Sequence, residues 1–475
     1  MSYTATTKEA YQLFHEGALA FAEMEHNGIC VDIPYLDKAI TQAEADIHQL
    51  TEELRQDQEV WPIWRRIFGV ETKLGSKQQL GRVVFGEMGY KRNELAKKKK
   101  DRGHRGEHSE AAFVDVDLPF VRKYFEIEKL KKAKSTYLEG LRREAVDGFV
   151  HPFFNLHIVR TLRSSGSLPN FQNLPTRNAK IGKIIRTAII PRGPDRQLVE
   201  VDFKGIEVSM AAIITGDKNL MKYVTDPKTD MHRDTACQLF FLTPDQVLKK
   251  GTRDVAKSYF VFAEFYGDYW KSCAAKLWDQ INRRKLRVGP DEVNGEFIKK
   301  HLKKKGITGL GNGSDEFKPE KGTYEAHVKE IEEDFWGNRF AGYSEWKKKW
   351  WNDYQRTGEF RTPTGFLIKD IVYSRNQVTN NPIQGGAFHC DLLTIILAQK
   401  EIKKRKMDAY LVNQIHDSLI ADVHQSVVPE YIQMIKHIVD VELPKTWPWI
   451  SVPMIVEVEA SPPGRSWFEK KEVKL

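Results

Sequence analysis

Two aspartates stand where apolar, strand-like runs end. Asp202 follows Leu-Val-Glu-Val, and Asp417 follows Val-Asn-Gln-Ile-His. Two carboxylates at the ends of adjacent strands can hold two divalent ions about 3.5 to 4 Å apart, which clamp the attacking and leaving oxygens of a phosphoryl transfer. A lone aspartate at a strand end is more often a turn residue, and neither residue alone separates the two interpretations.

A second segment, residues 253–267, combines cations with aromatic rings. Its sequence is Arg-Asp-Val-Ala-Lys-Ser-Tyr-Phe-Val-Phe-Ala-Glu-Phe-Tyr-Gly. Arg253 and Lys257 are four residues apart, so a helix places both on one face, where they can bind one polyphosphate. The aromatic residues that follow can stack on a base. An amphipathic surface helix is the alternative, but it explains the aromatic run poorly.

The composition is that of a globular protein with an excess of positive charge. The 475 residues include 74 Lys and Arg and 65 Asp and Glu, which gives a formal net charge of +9. Clustered positive charge makes nucleic acid the first partner to consider. The four cysteines form no CxxC pair, which argues against a zinc ribbon or a disulfide framework. The chain lacks an apolar signal region and a membrane-span run, so we expect a cytoplasmic protein without a membrane partner.

Periodicity predicts that the first part of the chain is mainly helical. The apolar spacing indicates helices at 9–28 and 35–57, with an extended stretch at 29–33 between them. A long helix with interleaved lysines is predicted at 124–141. Residues 91–108 contain eight Lys and Arg and three acids. They form either a solvated mobile loop or a tip that grips phosphates, and both can hold at once.

The pattern of an α+β region follows residue 148. A strand is predicted at 197–201 and a helical stripe at 206–213, which puts Asp202 at a strand-to-helix corner. The apolar runs 410–415 and 418–423 predict a tight hairpin with an acid at its tip.

Residues 226–370 are predicted to be helical and rich in Trp. The Gly- and Lys-rich stretch 303–322 within them is predicted to be a surface insertion.

Four ordered motifs resemble those of DNA polymerase family A, the DNA polymerase I family. The resemblance covers nearly the whole chain, and the joint occurrence of the motifs is highly specific. The motifs are TLRSSGSLPNFQNLP (161–175), similar to a primer-template contact segment, VDFKGIEVSMAAIITGD (201–217) to motif A, RDVAKSYFVFAEFYG (253–267) to motif B, and QIHDSLI (414–420) to motif C. Two further matches are DMHRDTA (230–236) and NNPIQG (380–385).

The resemblance implies a role for each matched residue. Asp202 and Asp417 correspond to the metal ligands, with the Phe203 carbonyl as an additional ligand, and Lys257 joins the two aspartates as a catalytic residue. Glu207 corresponds to the acid that closes the sugar pocket against a 2′-hydroxyl. The remaining matches are His232, Arg253 and Lys257 at the triphosphate, Phe262 and Tyr266 near the base, and Arg163, Asn170, Gln172, Asn173, Gln384 and His416 at the primer-template.

Motif C departs from the common family pattern. It contains His-Asp-Ser where many relatives have a second acid, so Ser418 cannot be a charged ligand and the two aspartates must suffice. Single-subunit RNA polymerases of related fold also have His-Asp-Ser, which keeps an RNA product formally open. Glu207 argues against that product, because those enzymes lack this gate.

Motif B is one residue longer than is usual between Lys257 and Tyr266. The ring expected one turn after the lysine is therefore either Val261 or Phe262. We expect a one-residue π-bulge that returns Phe262 and Tyr266 to the nucleotide face, since such bulges cluster at functional sites.

Two further departures concern the DNA contacts and proofreading. The position that is usually basic, four residues before Asn380, is Asn376, with Arg375 beside it. The family's proofreading domain would precede residue 1, so we expect polymerase activity without 3′→5′ or 5′→3′ nuclease activity. Proofreading would then come from a separate chain. Lack of an attached nuclease hints at a viral or phage-like replicase in a bacterial or phage-infected cytoplasm.

The predicted fold is an α+β right hand with a helical thumb, an antiparallel palm and helical fingers. The expected divisions are an N-terminal helix packed on the palm (1–29), the thumb (30–145), the palm with motif A (146–225), the fingers with motif B (226–375) and the palm with motif C (376–475).

The predicted reaction adds dNTPs to a primer 3′-hydroxyl on a DNA template, using two Mg²⁺ ions for which Mn²⁺ can substitute. The partners implied are primer-template DNA, dNTPs, and a separate exonuclease or processivity factor. The alternatives are a related RNA polymerase, a two-metal nuclease and a non-catalytic DNA-binding protein.

Overall fold

An antiparallel sheet of five strands lies at the centre of the molecule. The computed structural model describes residues 5–93, 108–175, 179–311, 319–370 and 372–473. In spatial order the strands are Lys471–Glu472, Val456–Ala460, Arg196–Phe203, Ser418–His424 and Ala409–Ile415. The predicted strand at 197–201 and the predicted hairpin around Asp417 are both confirmed.

The register of the sheet brings the two motif ends together. Arg196 pairs with His424 at one end of the central pair of strands, and Asp202 pairs with Ser418 at the other. The Phe203 backbone N–H donates to the Asp417 carbonyl oxygen at 3.0 Å. Asp202 and the hairpin turn therefore meet at the end of the sheet where these two central strands stop.

The opposite end of the same strands is held by a buried ion pair. Asp422 is 1% exposed and accepts from the Arg196 Nε at 2.5 Å. Arg192 donates to the other Asp422 oxygen from its backbone N–H at 2.8 Å. Removing one partner of such a pair leaves an uncompensated buried charge, so this contact fixes the alignment of the two strands.

The N-terminal helix Thr7–Asn27 packs against the long helix Arg375–Arg405. A capping box between Thr6 and Glu9 starts the first helix, and Gly28, with a φ of +64°, ends it. Lys400 forms an ion pair with Glu16 at 2.5 Å across the interface. The predicted helix at 9–28 is confirmed.

The next region is helical, as predicted, and has its own core around Trp64, Phe120 and Tyr124. Its helices are Ile33–Arg55, Val60–Phe68, Lys77–Gly81, Pro119–Lys132 and Glu139–Glu144, with 3-10 turns at Gly69–Glu71 and Glu110–Phe113 and π turns at Arg82–Glu87 and Ala133–Leu138. The extended stretch is the strand Ile29–Cys30, paired with Phe149–Val150. Most of the basic stretch 91–108 lies outside the described residues, at 94–107.

Helices also dominate residues 206–357. They are Ile206–Thr215, Lys218–Thr225, Met231–Phe240, Asp254–Ala256, Phe262–Phe265, Trp270–Arg283, Ile298–Lys304, Tyr324–Asp334 and Ala341–Thr357, with a 3-10 turn at Pro244–Gln246 and π turns at Lys249–Arg253, Lys257–Val261 and Phe335–Arg339. The helical prediction is wrong at 360–368, where the strands Phe360–Arg361 and Leu367–Ile368 form a hairpin. Within the predicted surface insertion 303–322, Ile307 is buried and packs into the main core.

The remaining elements support the central sheet. They are the strands Phe153–Asn155 and Ser165–Ser167, the helices Ala179–Thr187, Val428–His437 and Leu443–Thr446, 3-10 turns at Phe171–Asn173, Gln425–Val427 and Trp467–Glu469, and a π turn at Ile438–Glu442. None of the described helices has the length and apolar character needed to cross a bilayer.

Candidate active site

Asp202 and Asp417 lie side by side at the edge of the central sheet. Burial raises the pKa of the Asp202 carboxyl to about 7, and the charges of Asp417 and Glu200 add to that effect. Burial also raises the pKa of Asp417. Two partly buried carboxylates that oppose each other's ionisation are a donor set that a divalent cation would stabilise in the charged form.

The two carboxylates suit a Mg²⁺ ion whose other ligands are water and substrate, and not a metal ion that is coordinated by protein side chains alone. Among the described residues, no group of three or more His, Cys, Asp and Glu side chains is arranged to hold a metal ion. Mg²⁺ is commonly bound by one or two carboxylates, with water and substrate phosphates as the other ligands. Asp202, Asp417 and the Phe203 carbonyl are the residues that would hold it. The Phe203 side chain itself is buried in the core.

Glu207 joins two residues that are distant in sequence. It lies in the first turn of the helix Ile206–Thr215, whose N-cap residue Gly205 has a φ of +62°. Arg163 donates to the Glu207 Oε1, and the Tyr266 hydroxyl donates to the Oε2. Burial and the nearby Glu207 carboxylate raise the pKa of Tyr266 well above its usual range. The carboxylate is thus fixed from both sides.

A small cavity adjoins Glu207. It is lined by Glu207, Val208, Ala211, Phe262, Phe265, Tyr266, Tyr343, Asn380, Ile383 and Gln384. The structure therefore brings the predicted residues Phe262, Tyr266 and Gln384 to one place.

His232, Arg253 and Lys257 form a cationic group at the start of the Met231–Phe240 helix. Asp230 caps this helix and forms an ion pair with the Arg253 Nε at 2.7 Å. Burial, with further contributions from Lys257 and Arg253, lowers the pKa of His232 to about 4. His232 is therefore neutral at pH 7, and among the described residues its buried Nδ1 has no hydrogen-bond partner. A buried nitrogen without a partner can form a hydrogen bond with a bound ligand.

The motif B helix contains the predicted π-bulge. Residues Lys257–Val261 form a π turn, and α geometry resumes at Phe262. Val261 is fully buried. The Phe262 ring lies 5.3 Å from the Lys257 ammonium and 5.6 Å from the His232 ring. Phe262, and not Val261, thus faces the cationic group.

The segment 161–175 is attached to motif C by a hydrogen-bond network that joins the predicted contact Gln172 to two residues that were not predicted, Ser164 and Gln414. The Gln172 amide donates to the Ser164 hydroxyl at 3.0 Å. That hydroxyl donates to the Gln414 Oε1 at 2.7 Å, and the Gln414 amide reaches both the His416 carbonyl and the Asp391 carboxylate. Burial raises the pKa of Asp391 to about 8. Gln414 was not predicted. Its polar side chain within the largely apolar run 410–415 was the available sequence signal.

The other predicted DNA contacts occupy turns. The Asn170 side chain caps the 3-10 turn Phe171–Asn173, and the Asn173 carbonyl accepts from the Tyr137 hydroxyl at 2.9 Å. His416 adopts a φ of +59° in the motif C turn. Asn376 packs closely against Gly267, the last residue of motif B.

The fold is that of a right-hand polymerase domain. The chain superposes on the structure described as the POL domain of Pol1 from M. smegmatis in complex with DNA primer-template and dNTP, with a TM-score of 0.71 and 22% identity. The superposition covers 96% of this chain and 70% of that chain. The predicted α+β class with an antiparallel palm is confirmed.

The chain belongs to DNA polymerase family A. The family model matches residues 37–286 and 336–469. The chain is 26% identical to a thermostable DNA polymerase I of Thermus filiformis and 25% identical to DNA polymerase I of Bacillus subtilis, over 95% and 96% of its length. It spans 47% and 45% of those proteins, about half of each.

Proposed function

We propose that the protein is a template-directed DNA polymerase that adds dNTPs to a primer 3′-hydroxyl and releases pyrophosphate. The observation that carries the proposal is the proximity of Asp202 and Asp417 where the two central strands end, since two-metal phosphoryl transfer requires such a pair of carboxylates. Family membership and the adjoining cationic group support the same reaction.

The residues around the aspartates have separate tasks in this proposal. When bound, the divalent ions would acidify the primer hydroxyl and neutralise charge on the phosphates. Arg253 and Lys257 bind the triphosphate, and neutral His232 offers an N–H to a phosphate oxygen. Electrostatic stabilisation of the leaving pyrophosphate follows from these fixed cations.

Glu207 selects the sugar. Because Arg163 and Tyr266 hold its carboxylate in place, a ribose 2′-hydroxyl would have to displace a fixed, charged group. The rings of Phe262 and Tyr266 contact the nascent base pair. This assignment favours dNTPs over rNTPs, and it is the reason to rank DNA synthesis above RNA synthesis.

The remaining assignments concern DNA and domain divisions. Arg163, Gln384 and His416 contact the primer-template near its 3′ end, and the turn containing Asn170, Gln172 and Asn173 positions the same strand. The divisions are the N-terminal helix (1–29), thumb (30–145), palm (146–225 and 376–475) and fingers (226–375). The ion pairs of the first helix with Arg375–Arg405 support its placement on the palm.

Primer extension with dNTPs and rNTPs in parallel, with Mg²⁺ and then Mn²⁺, tests the proposal. Extension with dNTPs is the expected result. Failure of any primer to grow would favour a DNA-binding protein, and release of nucleotides without dNTPs would favour a nuclease. The absence of nuclease activity stays a prediction, and so does the need for a separate exonuclease or processivity factor. Degradation of a mismatched primer that depends on this chain's own residues would contradict the former.

A further inference from the structure

A cationic segment begins at the end of the first stretch that matches the family and continues beyond it. The matched stretches end at 286 and resume at 336. Residues 283–305 contain nine Lys and Arg against three Asp and Glu, a local charge of +6 in a chain whose total is +9. The motifs of the proposed polymerase site do not use these residues.

The segment is folded onto the body of the molecule. The backbones of Leu286 and Ile298 are joined at 2.7 Å, and both side chains are buried in the main core. A His301 ring nitrogen lies 3.0 Å from the carbonyl oxygen of Phe241, the C-cap residue of the helix Met231–Phe240 that contains His232. The segment is therefore anchored to the helix Met231–Phe240, which also contains His232 of the cationic group.

An open cleft of about 470 Å³ lies on this segment. Its floor is apolar and includes Ile281, Leu286 and Phe297. Phe297 is 40% exposed, and the Arg287 guanidinium stacks over its ring at 4.0 Å. An exposed ring beside a guanidinium is a platform on which an unpaired base can stack.

The rim of the cleft is a set of exposed lysines. Lys285, Lys299, Lys300 and Lys303 all border it. Among the described residues, Lys285, Lys300 and Lys303 form no ion pair, whereas the neighbouring Lys304 is paired with Glu296 at 2.7 Å. Unpaired cations around an apolar floor match the backbone phosphates and the bases of a single strand.

We propose that this cleft binds the single-stranded template ahead of the primer terminus. The inference rests on the proposed polymerase function, because it assigns a place to the template strand that has yet to enter that site. The helix Trp270–Arg283 starts three residues after Gly267 and ends at the cleft, a span of about 20 Å. A template overhang of roughly six nucleotides covers that distance at 3.4 Å per nucleotide. A duplex cannot use the phenylalanine platform, since its bases are already stacked.

The test measures DNA binding by the full chain without dNTPs, as fluorescence anisotropy at several salt concentrations. The substrates are a primer-template with a one-nucleotide overhang, the same with roughly twelve unpaired nucleotides, and the latter with its overhang paired to a complementary strand. The variant is Lys285→Gln/Lys300→Gln/Lys303→Gln. The matched control is Lys404→Gln/Lys406→Gln/Lys436→Gln. These three exposed lysines lie at the C-terminal end of the helix Arg375–Arg405 and on the helix Val428–His437.

The wild type and the control are expected to bind the long unpaired overhang tighter than the short one. The triple cleft variant should lose this gain, and the slope of log K against log salt for the long overhang should become shallower by about two. Phe297→Ala should lose at least about fivefold in affinity for the long overhang, and Phe297→Tyr should restore it.

Several results would overturn the assignment. They are an affinity independent of overhang length, a gain that survives in the cleft variant, an equal loss in the control, or an equal gain from the paired overhang, which would indicate a duplex. Single-nucleotide extension on the short overhang reports the polymerase function separately, and the cleft variant should retain it.

Discussion

At the residue scale, the site depends on charges that the fold forces together. Asp202 and Asp417 can be singled out in the sequence because each ends an apolar run, but that pattern alone does not separate a metal ligand from a turn residue, and the metal role is what the family resemblance implies. The group formed by Arg163, Glu207 and Tyr266 is not predictable from spacing, since its members come from three separate elements. Nor does any local pattern show that Asp202 is buried beside other acids. Those facts arise only from the register of the sheet.

The raised pKa of Asp202 predicts that the free energy of unfolding of the metal-free protein depends on pH. The unfolded carboxyl ionises near 3.8 and the folded one near 7, so the stability of metal-free protein should fall as pH rises from about 4 to about 7. Asp202→Asn should therefore be more stable than the wild type at pH 8 by about 2 kcal/mol, roughly half the full linkage value, because the residue is partly exposed.

Urea unfolding at pH 5 and pH 8, with and without Mg²⁺, checks this. The difference between the proteins should shrink at pH 5, and Mg²⁺ should stabilise the wild type at pH 8 but not the variant. Equal stabilisation of both proteins by Mg²⁺ would place the ion elsewhere.

Removal of Glu207 should weaken sugar discrimination. Glu207→Ala is expected to raise rNTP insertion relative to dNTP insertion by about 10- to 100-fold, because the obstruction to the 2′-hydroxyl is gone. Glu207→Gln keeps the size of the side chain and should retain most of the discrimination. The ratio of kcat/KM for the two nucleotides is the measurement, and an unchanged ratio in Glu207→Ala would count against the gate.

At the element scale, one extra residue in motif B is absorbed by a change of helix type. The sequence predicted a π-bulge from the spacing between Lys257 and Tyr266, and the π turn Lys257–Val261 confirms it. The sequence alone left Val261 and Phe262 as alternatives. Tertiary packing separates them, since Val261 is buried in the core while Phe262 lies beside the cationic group. The hairpin at 360–368 was missed because its strands are only two residues long.

Alanine substitutions of these two neighbours should separate packing from nucleotide binding. Val261→Ala should lower the free energy of unfolding by about 1 to 3 kcal/mol through lost burial. Phe262→Ala should mainly raise the KM for dNTP, since its ring contacts the triphosphate residues. Urea unfolding and steady-state insertion kinetics distinguish the two effects. The reverse pattern would mean that Val261, and not Phe262, occupies the position at the nucleotide one turn after Lys257.

At the scale of the whole molecule, the α+β class and the helical first part were predictable because their patterns are long and periodic. The pairing of strands as far apart in sequence as Arg196–Phe203 and Ser418–His424 was not, because no local signal records which strands are neighbours. The family motifs supplied that information indirectly. The basic stretch at 91–108 stays a prediction, since 94–107 lie outside the described residues.

The positive charge of the whole chain predicts salt-sensitive binding of primer-template. Lysine and arginine contacts with phosphates release condensed counterions, so log K should fall linearly with log salt. With six or more phosphate contacts, affinity should drop by at least about a thousandfold between 50 and 200 mM salt. Anisotropy titrations on duplexes of unrelated sequence should give parallel lines. A salt-independent affinity would contradict electrostatic docking.

The central claim is that Asp202 and Asp417 together hold the ions for nucleotidyl transfer. Single-turnover primer extension by Asp417→Asn, with primer-template affinity measured on the same preparation, tests it most directly. Glu459→Gln, an acid of the neighbouring strand that faces Lys470, serves as the control. We expect extension by Asp417→Asn to fall by at least about a thousandfold with affinity little changed, and the control to match the wild type. Extension near the wild-type rate would contradict the account, as would a loss explained entirely by weaker DNA binding.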